Sequence, residues 1–330
     1  MSRLVLSALA LFATILSGEA FAQSTYPIRS VRVIVPFAVG TAGDLVSRTV
    51  SHKMAELLGQ PFVIENRPGA RGEIGVRELL RSDPDGYTLC HCHDGQLAIN
   101  PAGYLAAGLP LPYDPLRDFV PLGMDFMNHL VLAVNNDLPV RTVRDLIEYS
   151  RANPGRLAIG ASGPSAFLIA GLLKSAGIDM VVVPNNLGGE AESVRALLGN
   201  HIQVLPSTTT GIRELARSGS VKLIGAAGSV RNPFFPDLPT LGEQGLTDFD
   251  RIIPSWGGYF ARRGTPPEVA TVISRALRIA VNDPVVARTL LRGGIEPRFE
   301  EPEESAGRLA SRIADLVEML RRTGTVLITR

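Results

Sequence analysis

The stretch Val31-Arg32-Val33-Ile34-Val35-Pro36-Phe37-Ala38-Val39-Gly40-Thr41-Ala42-Gly43-Asp44 decides the fold of this 330-residue chain. Its first five residues, rich in β-branched side chains, predict a strand buried on both faces, and Pro36 stops it. A loop of small residues follows. From Asp44 to Leu58, Val46, Val50, Met54, Leu57 and Leu58 recur at three and four, which predicts a helix that Gly59 and Pro61 end. Strand, small-residue loop and helix start together aim unpaired backbone N–H groups at one point, where a carboxylate or phosphate fits. The same loop also serves as a tight turn that seats a helix on a sheet.

Outward from that unit the pattern repeats. Phe62 to Glu65, a helix from about Glu73 to Arg81, and Tyr87 to Cys92 continue a strand–helix rhythm that predicts a parallel α/β sheet. Pro101 to Pro121 holds five prolines and reads as an extended surface connection. A second series then begins: strand Leu130 to Val134, a helix capped by Thr142, strand Arg156 to Gly160, and a second small-residue loop, Ala161-Ser162-Gly163-Pro164-Ser165, before a helix from Ala166 to Ala176. That loop offers another N–H cluster with a Ser162 or Ser165 hydroxyl beside it, although Ser165 also suits a plain helix cap. Strands Met180–Val183, Ile202–Leu205, Val221–Gly225 and Trp256–Ala261 follow, and helices near Glu190–Leu198 and Ile212–Ser218 lie among them. Three proline-started helices over 267–282, 284–291 and 302–321 close the chain.

Composition narrows the function. Lys and Arg number 33 against 32 Asp and Glu, so there is no basic stripe for nucleic acid. Arg3 precedes an apolar run from Leu4 to Leu16, and Ala20-Phe21-Ala22 places small residues before a cut ahead of Gln23. This describes a secretory signal peptide over residues 1–22, an uncleaved anchor being the alternative. The remainder exceeds one compact core, which predicts two domains. It carries no His-Glu-x-x-His, no Gly-Lys-Ser/Thr phosphate loop and no Gly-x-Ser-x-Gly elbow, so no enzyme class is indicated and no cofactor is implied.

The densest chemistry is Cys90-His91-Cys92-His93-Asp94, at the C-terminal end of a predicted strand. Alternation puts the cysteines on one face and the histidines on the other, so one strand cannot present all four to a metal. A zinc site would need a ligand from elsewhere, such as His129. Buried free thiols fit an extended strand better than a Cys90–Cys92 disulfide. His93 can donate to an acceptor and Asp94 can accept from an amide or ammonium, unless the pair simply belongs to a capped loop. Trp256 reads as a packed aromatic near the site.

Tyr26-Pro27, Val31 to Phe37 with Gly40 and Asp44, Glu65-Asn66-Arg67-Pro68-Gly69-Ala70 with Gly72 and Gly75, and Pro84-Asp85-Gly86-Tyr87-Thr88-Leu89 resemble the Bug family of periplasmic solute receptors. Ala98-Ile99-Asn100-Pro101, Pro112-Tyr113-Asp114-Pro115, Ser255-Trp256-Gly257 and Gly264-Thr265-Pro266 extend the likeness over the chain after the signal. The resemblance implies an α/β, two-domain type II periplasmic-binding-protein fold with a ligand cleft between domains. Domain 1 would combine residues 23–127 and 231–330, and domain 2 would be 128–230. It also implies a monomeric receptor for a small organic acid, partnered with the integral-membrane subunits of a tripartite tricarboxylate transporter. A sensory receptor without transport is the alternative. Carried onto this chain, the carboxylate contacts are Phe37, Ala38, Gly40, Thr41, Ala42 and Asp44 in the first loop, and Ser162, Gly163, Ser165 and Asn186 opposite, with His93 and Asp94 at the adjoining strand end. Asp44 caps and orders its loop, since its own charge would repel a bound carboxylate.

The departures carry information of their own. Thr41 and Ala42 add methyl groups where the family has glycines, narrowing the approach to the backbone. The second loop is short and lacks a histidine that the family often has. Asn185-Asn186 stands where Tyr-Lys is common, and a lost lysine weakens the case for a multiply charged anion such as citrate. His93 and Asp94 replace small hydroxyl residues, which points to a changed ligand and leaves open an amide, cationic or metal one.

Overall fold

The computed structural model describes residues 26–161, 163–184, 189–252 and 254–328; the expected signal segment lies outside them. The opening unit forms as its residues dictate. β1 (Val31–Val35) runs into the loop, and α1 (Ala42–Leu58) starts where Thr41 caps it, its hydroxyl accepting from Asp44 N. Val31, Val33 and Val35 pack against Val46, Val50 and Met54 of α1, while Ile34 packs on the opposite face with Val76 and Leu79. The strand is therefore buried on both sides, which is why its run is continuous rather than alternating.

β2 (Phe62–Asn66), α2 (Glu73–Arg81) and β3 (Thr88–His93) complete a parallel set, with β1 between β2 and β3. Beyond β3 the expected parallel rhythm fails. The six-stranded sheet continues through β10 (Ser255–Arg262), β4 (Phe119–Asn128) and β11 (Glu296–Glu300), each antiparallel to its neighbour. β4 and β11 escape a pattern reading because Pro121, Gly123 and Pro297 interrupt them and their registers shift at bulges.

The expected extended connection after β3 is a second correction. Gly95–Ile99 forms a π turn leading into α3 (Asn100–Ala106), and Leu97, Ala98, Ile99 and Ala102 are fully buried. Pro101 sits in the first turn of α3, where its missing N–H costs no helical bond. A short α4 (Pro115–Asp118) then precedes β4.

A second sheet holds β5 (Leu130–Val134), β6 (Ala158–Ala161), β7 (Val181–Pro184), β8 (Val204–Thr208) and β9 (Lys222–Ala227), in the order β7-β6-β8-β5-β9. Here too three parallel strands are followed by antiparallel ones. Its helices are α5 (Val143–Ala152), α6 (Gly163–Ser175), α7 (Gly189–Leu198) and α8 (Thr209–Arg217). After β9 the chain returns to the first sheet, covered by α9 (Pro267–Val281), α10 (Pro284–Arg292) and α11 (Pro302–Thr323). The molecule is thus a two-domain α/β protein of the periplasmic-binding type, crossed once between β4 and β5 and once between β9 and β10. No described helix is long and apolar enough to cross a membrane.

Candidate functional site

Segments from both sheets enclose a cavity of about 220 Å³. One wall is the β1–α1 loop, with Phe37, Ala38, Thr41, Ala42 and Gly43, and beside it stand Arg71, His93, Asp94 and Gln96. Gly163, Pro164, Ser165, Glu190, Leu205 and Thr208 face them, with Phe126, Asn128 and Leu130 at the crossing between sheets.

The loop wall is held open by Asp44. Its carboxylate accepts from Gly40 N (2.9 Å), Arg48 Nε (3.0 Å) and Asn66 Nδ2 (2.9 Å). Burial pushes that carboxyl up, but the bonds from Arg48, Gly40 and Asn66 more than reverse this and hold it below the usual value. Neither Gly40 nor Asp44, both expected as ligand contacts, lines the cavity: the Asp44 carboxylate bonds the loop instead. Asn66 also donates to Phe37 O (3.0 Å), which ties β2 to the loop. Regular helical bonding in α1 begins when Leu45 N donates to Thr41 O, so Ala42 and Gly43 sit in the turn whose N–H groups precede it.

His93 reaches the same point. A Cβ on Gly43 would stand 2.7 Å from His93 Nε2, and one on Gly257 2.6 Å from His93 Cδ2, so the imidazole lies between two glycines that must be glycine. Phe37 packs on it at 4.0 Å and Phe126 at 4.8 Å between ring centroids. The residue is 8 % exposed, and Nε2 has no hydrogen-bond partner among the described residues. Burial first, then neighbouring His91, pushes its pKa well below the ordinary histidine value. The ring is therefore neutral, and its Nε2 lies against Gly43 in the first turn of α1. His91 is itself buried against Asp125 (2.9 Å), the residue that a bulge in β4 leaves unpaired opposite Gly257–Gly258.

Asp94 accepts from Ser255 Oγ (2.7 Å) and from the Gly95 and Trp256 N–H groups. Burial raises its pKa to about 6 against the lowering pull of Ser255, Arg312 and those N–H groups. The loop carrying Arg71 has positive φ at Gly69, Ala70, Arg71 and Gly72. Gln96 and Asn100 bond the Arg71 carbonyl, while its guanidinium donates to Leu327 O at 2.7 Å. Trp256 is fully buried and is not part of the cavity wall.

On the opposite wall Glu190 accepts from Ser207 Oγ (2.6 Å), Thr208 N (2.6 Å) and Thr208 Oγ1 (2.8 Å). Thr208 caps α8, so this carboxylate fills the anion position at that helix's N-terminus. Burial pushes Glu190 up, against the pull of the Ser207 and Thr208 bonds.

The cavity thus brings together Phe37, Ala38, Thr41, Ala42, His93, Asp94, Gly163 and Ser165 of the expected set; Ser162 and Asn186 lie outside the described residues. Glu190, Asn128, Gln96 and Arg71 escape the sequence reading. Glu190 looks there like an ordinary first-turn acid, and only the fold turns it inward. The cysteines need a correction: Cys90 and Cys92 form a disulfide, at a Cα–Cα distance of 5.4 Å that lies within bridging range. Residues two apart share a strand face, and here they approach closely enough to bond. His129, the ligand a zinc site would have borrowed, pairs instead with Glu296 at 2.9 Å.

The model of the tripartite tricarboxylate transporter family receptor matches residues 46–323. The chain belongs to this receptor family. It is 31% identical to Protein BugT of Bordetella pertussis over 310 residues, covering 92% of each chain. A solved structure described as that of a periplasmic transporter is 32% identical, with a TM-score of 0.83, over 92% of this chain and 100% of the other. A second, an R. palustris protein with adipate, is 28% identical, with a TM-score of 0.82, over 91% and 98%. Members of this family are periplasmic receptors, which accords with the fold and the cavity between its sheets.

Proposed function

We propose that this receptor captures a small organic carboxylate in the cavity between its two sheets and delivers it to the membrane subunits of a tripartite tricarboxylate-type transporter. One observation carries the reading: Ala42 and Gly43, ahead of the first helical bond of α1, line the same end of the cavity as His93, so a carboxylate there meets the helix N-terminus beside a neutral imidazole. Asp44 keeps that end open by satisfying the loop from behind. The adipate-bound relative supports the ligand class.

The protein acts by binding alone, as a monomer, after export and cleavage following Ala22. Its working domains are 23–127 with 231–330, and 128–230. They close on the ligand about the two crossings, Asn128–Leu130 and Ala227–Ser255. Isothermal calorimetry of the mature chain against mono- and dicarboxylates tests this. A micromolar dissociation constant, about −8 kcal/mol, is expected for at least one of them. Replacing His93 by Ala is expected to weaken it by about tenfold or more, the worth of a hydrogen bond to a charged group. Binding of none, or binding that His93→Ala leaves unchanged, contradicts the reading.

A further inference from the structure

The two ends of the cavity differ in chemical sense. At the α1 end the protein offers donors. At the α8 end it offers acceptors: Glu190 already occupies the helix N-terminus, so the amide and hydroxyls of Ser207 and Thr208 are turned toward a protein carboxylate rather than toward a ligand. Beside it, Asn128 donates through Nδ2 to Thr210 Oγ1 (3.1 Å), which leaves Asn128 Oδ1 without a partner among the described residues. Asn128 is only 2 % exposed and lines the cavity. Both side chains bond the Thr208–Thr210 turn, which places Glu190 and Asn128 at the same end of the cavity wall.

Three further features remove attraction for a second anion there. Pro164, in the first turn of α6, has no N–H to give. The guanidinium of Arg71 is engaged by the Leu327 carbonyl. Among the described residues the wall carries two carboxyl groups, Asp94 and Glu190, against that one guanidinium.

We propose that the ligand is a carboxylate bearing an ammonium group at its far end, with the carboxylate at α1 and His93 and the ammonium between Glu190 and Asn128 Oδ1. The inference rests on the receptor reading above and narrows its substrate class from organic acids in general to amino-carboxylates. Two carboxylates would set the second against Glu190, whereas an ammonium group pairs with Glu190 and offers a donor to the orphaned Asn128 carbonyl.

The test is calorimetry of the full mature chain with end-group series of matched length: glutarate, 5-aminopentanoate and 1,5-diaminopentane, with the four- and six-carbon counterparts. In one length the amino-carboxylate is expected to bind about tenfold or more tighter than the dicarboxylate, the discrimination of one charge-assisted bond. Glu190→Gln, close in shape to the native side chain, is expected to lower amino-carboxylate affinity about tenfold and to raise that of the dicarboxylate. Asn128→Ala provides a second variant at the same end and should weaken only the amino-carboxylate. Circular dichroism melting confirms that each variant is folded. A dicarboxylate preferred in every length, with Glu190→Gln and Asn128→Ala neutral, overturns this inference and leaves the receptor reading standing. Binding of the diamines alone, or of nothing in the series, overturns both.

Discussion

Two helix N-termini meet at one cavity, and the chain treats them oppositely. At α1 the nearby acid, Asp44, curls back onto its own loop, bonds Gly40, Arg48 and Asn66, and leaves Ala42 and Gly43, ahead of the first helical bond, at the cavity wall. At α8 the nearby acid, Glu190, comes from another helix and occupies the N-terminal position itself. The same backbone geometry thus becomes a receptor for anions at one end and an anion at the other. What sets the difference is where a carboxylate is tethered, not which secondary structure is present.

The strongest way to break the α1 end is to crowd it. Gly43→Val would drive a side chain into His93, which Phe37, Phe126 and Gly257 prevent from retreating. A destabilisation of about 3 kcal/mol is expected in chemical denaturation, together with loss of carboxylate binding in calorimetry.

A pH series sharpens the comparison through Asp94. Its native pKa of about 6 lies above the ordinary carboxylate value, so the folded state holds a proton that the unfolded chain releases earlier. Stability conferred by the protonated form is full below about pH 4 and falls as pH rises toward 6, by up to about 3 kcal/mol. Glu190 shifts in the same direction, and Asp44 opposes both, since its lowered pKa contributes stability above the ordinary carboxylate range and loses it as pH falls. Urea titrations of wild type and Asp94→Asn should therefore converge at low pH and separate on the way to pH 7; parallel curves would contradict the assignment.

Removing the tether at α1 comes next. Asp44→Ala leaves Gly40 N–H and Asn66 Nδ2 without their acceptor and is expected to cost about 2 kcal/mol, measured by urea denaturation, and to weaken carboxylate binding without moving the amine preference. Smallest is the loss of the caps. Thr41→Ala should cost about 1 kcal/mol in thermal unfolding, as a lost N-cap does. Thr208→Ala should cost more, because that hydroxyl also holds Glu190.

The sequence reading reached the α1 end and not the α8 end, for a physical reason. The first is local: β-branched strand, small loop, cap and helix lie within one stretch, and even the role of Asp44 follows from its distance to the loop. The second is assembled from Glu190, Asn128 and Thr208, which belong to three elements, one of them in the first sheet, that only the tertiary fold brings together. The same contrast marks the fold. β1, α1 and α5 announce themselves by residue pattern and end signals, whereas β4 hides behind Pro121 and Gly123, and α3 behind Pro101. Strand alternation placed the two cysteines on one face; that they bond depends on a local Cα–Cα approach that alternation does not report.

The most direct measurement is an amide proton–nitrogen NMR titration of the mature protein with whichever carboxylate binds most tightly. Downfield movement of the Ala42 and Gly43 amide protons, lost in His93→Ala, is the expected result. Saturation of the protein with those two amides unmoved would contradict a carboxylate held at the α1 N-terminus.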